Sequence, residues 1–287
     1  MARKVKITCD STCDFSPELL KRYQIPVSPL NVIMDDQSYR DGVDVTPDDV
    51  YAFYEKTGRL TKSAAVNIAD YEDFFKKHSE ENTDIIHFSI SSEMSTTYHN
   101  ACLAAEEIGN IYVIDTANLS TGSALLALKA IDMAEEGLEA PEIVEKLNAL
   151  RDKVDASFVI DSLLYLYKGG RCSAVAALGA NLLRLKPCIE VKNGKMGVGK
   201  KYRGKFDQAL KQYAEDRLHD PEDIDLRRVF ITHAGCDEKL AEEIAEQVRN
   251  TLPFEEVFIT RAGCTVSTHC GRNTLGVLMI RKTPVNS

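Results

Sequence analysis

The sequence predicts an α/β fold in two units, the first of them built on a parallel sheet. Over the first half of the chain, short apolar runs of strand length alternate with capped helical segments, the pattern of parallel strands joined by helical crossovers. The length of 287 residues suits about two domains at roughly 150 residues each. After SFVIDSLLYL the chain changes character at Lys168, Gly169, Gly170 and Arg171 and then begins a second alternation of strands and helices. The first domain is therefore expected to end near Asp155, giving units 1–155 and 156–287.

KVKIT near the start reads as a strand. In DSTCDFSPELL, Ser16 can cap a helix, Pro17 suits its first turn, and Leu19 and Leu20 begin an apolar face. Further helix starts stand at Thr46, Pro47, Asp48 and Asp49, and at Asn67 with Asp70 following, ahead of Tyr71, Phe74 and Phe75. DIIHFSI from Asp84 reads as a strand, SSEMSTTYHN as a polar loop, and Ala101, Ala104, Ala105 and Ile108 as one face of a helix. NIYVIDT is the next strand, followed by helices around Ser123 to Glu136 and from Pro141 to about Lys153.

In the second half a mostly apolar stretch runs from Ala174 to Leu185 and is stopped by Pro187. Cys188 to Val191 and Met196 to Val198 flank Asn193 and Gly194, a dipeptide that favours a tight hairpin reversal. A helix from about Phe206 to Leu218, a strand from Val229 to Thr232 and a helix from about Glu238 to Asn250 come next. Strands at Val257 to Thr260 and Leu275 to Ile280 close the second unit. There is no internal repeat and no low-complexity tract, which argues against a solenoid or a long linker.

A hydrophobic share of 44% with 28% charged residues is that of a packed globular chain. With 35 Lys and Arg against 44 Asp and Glu, the formal charge is −9. Such a balance excludes nucleic acid as the expected partner, because binding a phosphate backbone is driven by clustered cations. No run approaches the roughly 18 apolar residues of a membrane span, and the N-terminus lacks an export signal, so a cytoplasmic protein is expected. The eight cysteines are scattered and are expected to be free thiols. Cys9 and Cys13 are the closest pair, without the further Cys or His ligands that a structural zinc needs, so no metal or cofactor is expected.

Ser91, Ser92, Ser95, Thr96 and Thr97 follow a strand and open a helix at the carboxyl edge of the expected parallel sheet, where ligands tend to bind. Hydroxyls and free N–H groups there can receive an anion. Plain capping by Ser95 is the simpler role, but five hydroxyl residues exceed what one cap requires. His269 in STHCGRNTLG, Arg203 in KKYRGK and Arg171 in KGGR are further candidates, each equally compatible with an ordinary structural or solvated role. Asp10, Ser11, Thr12, Asp14, Asp115 and Thr116 end strands and could line the same cleft, or simply form caps and turns. The dinucleotide fingerprint GxGxxG after the first strand, the GxxxxGKS/T phosphate loop, GxSxG and HExxH are all absent.

Taken in order, these segments resemble the DegV family, which includes the fatty-acid-binding subunits of bacterial fatty acid kinase. The resemblance runs from Lys6 to Ile280. It is carried by Asp10, Ser11 and Thr12, Pro29 and Leu30, Asp41 and Gly42, KSAAV at Lys62 to Val66, SISSEMSTTY at Ser89 to Tyr98, and VIDT at Val113 to Thr116. YKGGR at Tyr167 to Arg171, LKPCIE at Leu185 to Glu190, KYRGK at Lys201 to Lys205, and THCG at Thr268 to Gly271 complete it.

The resemblance implies an N-terminal three-layer domain on a parallel sheet and a C-terminal two-layer α/β domain with a mixed sheet. It further implies one long acyl chain buried between them. The family's carboxylate contacts fall here on Ser63 and Ser92, with Ser91 the near alternative; His269 and Arg203 would complete the polar end, and Arg171 and Ser95 would support it. Such a protein is a carrier, not an enzyme, and its partners are a long-chain fatty acid and a kinase subunit that phosphorylates the presented carboxylate for phospholipid synthesis. Transient membrane contact would serve loading. Ser63 stands where the family has Thr. Thr96 replaces a Gly, and Cys270, Gly271, Arg272 and Asn273 replace x-G-P-G after the histidine.

A carrier of this kind is physically sensible. Burying a tail gains about 0.8 kcal/mol per methylene, on the order of 10 kcal/mol for a dozen, before ordering costs. The carboxylate costs several kcal/mol to bury unless it is paired, so hydroxyl, His or Arg groups are needed at one end. AVAALGANLL from Ala174 to Leu183 would help to wall the tail. The competing reading is an acyl hydrolase with Ser92 as nucleophile and His269 as base, which requires the two in hydrogen-bond reach and a third group orienting the His. A redox or metal protein using Cys9 and Cys13 is a third.

Overall fold

A computed structural model of the chain describes residues 3–172 and 185–285. Strand β1 (Lys4–Asp10) leads through a short 3-10 turn into α1 (Pro17–Tyr23), where Ser16 accepts the Leu19 N–H and Pro17 fills the first turn. β2 (Val27–Ser28), β3 (Asn31–Met34) and β4 (Gln37–Arg40) follow, then α2 (Pro47–Thr57), which opens on a reciprocal Thr46–Asp49 capping box. After β5 (Lys62–Ala64) come α3 (Ile68–His78), capped by Asn67, and β6 (Thr83–Ser89), buried along its whole length. α4 (Thr97–Ile108), β7 (Ile111–Asp115), α5 (Thr121–Glu135) and α6 (Ala140–Leu150) complete the first half.

β2, β1, β6 and β7 form an all-parallel sheet in that order. α3 and α4 pack Tyr71, Phe75, Ala101 and Ala104 against one side. On the other lies α5, whose Leu125, Leu126 and Leu128 are fully buried; a helix apolar all round must be covered on every side. The three layers expected of the N-terminal part are present.

What covers the far side of α5 is the second sheet. Its strands are β8 (Val154–Asp155), β9 (Ser157–Ile160), β10 (Leu185–Lys192), β11 (Lys195–Arg203), β12 (Ile224–Ala234), β13 (Glu256–Arg261) and β14 (Thr274–Arg281). The order is β11-β10-β9-β14-β12-β13, with β8 beside β14; β12 and β13 run parallel and the other pairs antiparallel, so the sheet is mixed. Phe158, Ile160, Phe230 and Leu278 face the α5 core. The opposite face carries Val229, Ile231, Val277 and Met279 against two helices, α8 (Phe206–Arg217) and α9 (Glu238–Thr251). Two shorter helices, α7 (Leu164–Gly169) and α10 (Cys264–Cys270), sit at the seam. A buried ionic cluster also crosses it: the Arg228 guanidinium bonds Asp132 of α5 at 2.6 and 2.9 Å and Glu256 at 2.8 Å.

Several features differ from the sequence expectations. β3, β4 and β5 form a third sheet, antiparallel in the order β4-β3-β5. Its strands are only three or four residues long, and its tight turn is made by Asp35 and Asp36 at φ 49° and 64°, left-handed conformations more often signalled by Asn-Gly. Pro187 lies within β10, at an irregularity in its pairing with β11, where a missing N–H is tolerated. Helix α10 was not foreseen, because Thr265, Val266 and Thr268 are poor helix formers. It is held at its start by side chains remote in sequence: Asp41 accepts the N–H groups of Cys264 and Thr265 at 2.8 and 2.9 Å, and Asp14 that of Gly263 at 2.7 Å. AVAALGANLL from Ala174 to Leu183 lies outside the described residues, as does all but the last residue of the longer apolar stretch.

Candidate functional site

β5 and α10 meet edge to end, and this brings Ser63 to His269: the hydroxyl oxygen lies 2.7 Å from Nε2. The other ring nitrogen, Nδ1, is buried without a hydrogen-bond partner among the described residues and faces Gly169. A Cβ at 169 would approach Nδ1 to 2.4 Å, so the KGGR segment needs glycine there to let α7 close on the ring. Gly170, at φ 68°, ends that helix by donating to the Leu166 carbonyl. Burial, and then the nearby Arg171 charge, push the His269 pKa down to about 4, so the ring is neutral at pH 7 and offers Nε2 as either donor or acceptor.

Ser63, His269, Ser95, Thr265 and Arg171 all line one narrow cavity of about 50 Å3, whose walls are otherwise apolar, with Leu30, Ile90, Met94 and Met196 among them. Leu119, Val266 and Cys270 belong both to this cavity and to a second of about 30 Å3, which is bounded by the segment before α5, α10 and the mixed sheet and lined largely by Ala156, Phe158, Val191, Ala234 and Leu278. In the other direction, Ser63, Arg171 and His269 also border an open groove of about 490 Å3 that includes Tyr54, Lys62, Tyr165 and Lys168. The polar cluster thus stands between a greasy interior and a cationic exterior.

The other predicted residues are placed elsewhere. The Ser92 hydroxyl donates to Asp115 at 2.5 Å, and its N–H to the same carboxylate at 3.2 Å. Ser91, fully buried, donates to the Gly194 carbonyl at 2.8 Å and so ties this loop to the β10–β11 hairpin turn. Neither lines the cavities, and Ser92 does not pair with His269 as a nucleophile would have to. Arg203 is exposed at the end of β11, opposite Leu185, and borders none of the three spaces. Arg171 is exposed as well, with Nη1 donating to the Gly169 carbonyl at 2.7 Å. Ser95 does not hold the cap position of α4, which is Thr96 in helical backbone conformation, but it accepts the Thr97 N–H from one residue earlier at 3.2 Å.

Arg272 turns away from the cavity, lying over the Tyr51 ring at 4.4 Å and pairing with Glu55 at 3.3 Å, while Asn273 takes the left-handed turn at φ 57°. Thr265 was missed: it lies one helical turn before His269 and lines the same cavity. The i, i+4 spacing would have flagged it had the helix been foreseen.

Beneath the site is a knot of carboxylates. Asp10 accepts from Thr12, Ser89 and the Ile90 N–H, and Asp14 accepts from Ser120 and Gly263. Burial raises both pKa values, that of Asp14 to about 8. Cys9 and Cys13 are buried, and the two are not joined by a disulfide. No group of three or more His, Cys, Asp or Glu among the described residues could hold a metal ion. No helix among them is long and apolar enough to cross a membrane.

Comparison with known proteins gives a match to the family model described as uncharacterised protein, DegV family COG1307, over residues 4–282. A fatty acid-binding protein of Thermotoga maritima is 30% identical over 281 residues, covering 95% of this chain and 96% of the relative. A solved fatty-acid-binding DegV family protein from Thermus thermophilus superposes with a TM-score of 0.89 at 26% identity, covering 97% of this chain and 99% of that one. A stearic acid-binding protein from Eubacterium ventriosum gives 0.85 at 29% identity, over 97% and 98% of the two chains.

Proposed function

The chain belongs to the DegV family, and from that premise we propose that it carries one long-chain fatty acid, with the carboxylate at Ser63 and His269 and the tail in the paired cavities at the seam between an N-terminal domain, 1–155, and a C-terminal domain, 156–287. The observation that carries this reading is the position of the Ser63–His269 pair at the polar end of apolar space that runs along α10 to the mixed sheet. The tail supplies affinity through burial of its methylenes. The head needs hydrogen bonds to offset its desolvation, and Ser63, His269 and Ser95 can supply them. Ser92 and Ser91 act at one remove, holding the loop that precedes α4 against Asp115 and the hairpin turn.

A carrier must also let its cargo be reached. Ser63, His269 and Arg171 border the outer groove, where Lys62 and Lys168 add positive charge, so a carboxylate at the pair faces a cationic opening. That arrangement supports presentation to a fatty acid kinase subunit, which would phosphorylate the carboxylate for phospholipid synthesis. Arg203, exposed on the surface, is available to such a partner.

Native mass spectrometry of the purified protein tests the core of this reading. One fatty acid per chain is expected, with retention weakened about ten-fold by Ser63→Ala and more by Ser63→Ala with His269→Ala, since a hydrogen bond to a charged group contributes about 1.5 to 3 kcal/mol. A lipid-free protein that also refuses added hexadecanoate would overturn it.

A further inference from the structure

Helix α10 carries four hydroxyl or imidazole side chains after its first residue, and three have partners. Ser267 bonds the Tyr51 hydroxyl at 3.0 Å and the Ala262 carbonyl at 3.3 Å, Thr268 bonds Thr61 at 2.8 Å, and His269 bonds Ser63 at 2.7 Å. Thr265 is the exception: it is 4% exposed, and its hydroxyl is buried without a partner among the described residues. Its backbone is anchored, because its N–H donates to Asp41 at 2.9 Å. The hydroxyls of the other cavity-lining residues are satisfied: Ser95 by Thr97, Ser120 by Asp14, Thr232 by Thr121 and Thr260, and Thr274 by the Cys270 carbonyl. Thr265 lines the cavity that Ser63 and His269 line, together with Leu30, Ile90, Met94 and Met196.

A buried hydroxyl left without a partner is costly, and sites that leave one open reject ligands unable to fill it. Helix α10 runs along the wall of both cavities, since Val266 in its first turn and Cys270 at its end line the inner one as well as the outer. Thr265 lies about 6 Å from His269 along that wall, four residues at 1.5 Å each along the helix. Resting on the fatty-acid reading above, we infer that Thr265 is a specificity-determining residue that hydrogen-bonds an oxygen carried by the acyl chain itself, so that the preferred cargo is a hydroxy fatty acid substituted within about the first five carbons. The carboxylate is held at the mouth by Ser63 and His269, and the chain oxygen is met one helical turn away along the same wall.

Competition binding against a fluorescent fatty acid, with hexadecanoate, 3-hydroxyhexadecanoate and 5-hydroxyhexadecanoate as probes, decides the matter. The wild-type protein is expected to prefer at least one hydroxy acid over hexadecanoate by about five-fold, the effect of one neutral hydrogen bond. Thr265→Val, which keeps the shape, should abolish the preference while leaving hexadecanoate bound as tightly or more tightly, and Thr265→Ser should retain it. Equal or weaker binding of both hydroxy acids by the wild type, or a preference that survives in Thr265→Val, overturns the assignment; either result, with hexadecanoate still bound, leaves the carrier reading intact. Failure to bind any of the three acids defeats the carrier reading and this inference with it.

Discussion

Gly169 lies against His269 so closely that a single added methyl would come within 2.4 Å of Nδ1. The ring cannot retreat freely, because its other nitrogen is bonded to Ser63. Gly169→Ala is therefore expected to push the imidazole off Ser63 and to weaken fatty acid retention about ten-fold, with a melting temperature lowered by only a few degrees. Titration of both proteins with hexadecanoate, beside thermal melts, checks this; unchanged affinity would show that the ring's position is immaterial to binding.

The low pKa of His269 sets the direction of a pH effect on binding. In the free protein the ring is neutral above about pH 4, whereas a bound carboxylate beside Nε2 favours the imidazolium and raises that value. Binding then takes up a proton in the window between about 4 and the raised pKa of the complex, so affinity should increase as pH falls from 7 towards 5. His269→Gln should flatten the profile. A wild-type profile with no slope would mean that the neutral ring serves by donating from Nε2.

Much of this was legible in the chain because it rests on local signals. Ser16, Thr46 and Asn67 all cap the helices expected of them, and Asn193 and Gly194 turn the expected hairpin. The parallel sheet of the first half follows from short strands alternating with capped helices, and its central strand β6 is covered on both faces. What remained hidden depends on contacts remote in sequence. α10 forms because Asp14 and Asp41, over two hundred residues away, receive its first N–H groups. Without that helix, the shared face of Thr265 and His269 cannot be read. Ser92 looked like a ligand contact because its hydroxyl stands at a sheet edge, but its partner Asp115 ends the neighbouring strand, a pairing that only the parallel register of β6 and β7 creates.

Asp14 makes stability depend on pH with a definite sign. Burial raises its pKa from 3.8 to about 8, so between those values the folded chain holds a proton that the unfolded chain has lost. Stability must then fall as pH rises through this window, the penalty being absent below about pH 4 and complete above about pH 8. The difference in melting temperature between wild type and Asp14→Asn should accordingly shift against the wild type from about pH 5 to about pH 8. A difference that stays constant over that range would show that Asp14 is already ionised in the fold.

The ionic cluster at the seam gives the largest predicted loss of stability. Asp132 and Arg228 are each 7% exposed in their side chains and bonded through two nitrogens of the guanidinium, so water offers neither a substitute partner. Asp132→Ala leaves Arg228 buried beside Glu256 alone, and removing one member of a buried pair costs about 3 to 5 kcal/mol. Replacing both with apolar residues of similar volume, Asp132→Leu with Arg228→Met, should cost less than the single substitution, because Glu256 keeps Arg22 and the half-exposed Arg227 is left to water, so no fully buried charge is stranded. Urea denaturation of the three variants separates the cases. If the double variant proves as unstable as Asp132→Ala, the cluster's contribution lies in packing across the α5–β12 seam and not in the pairing of charges.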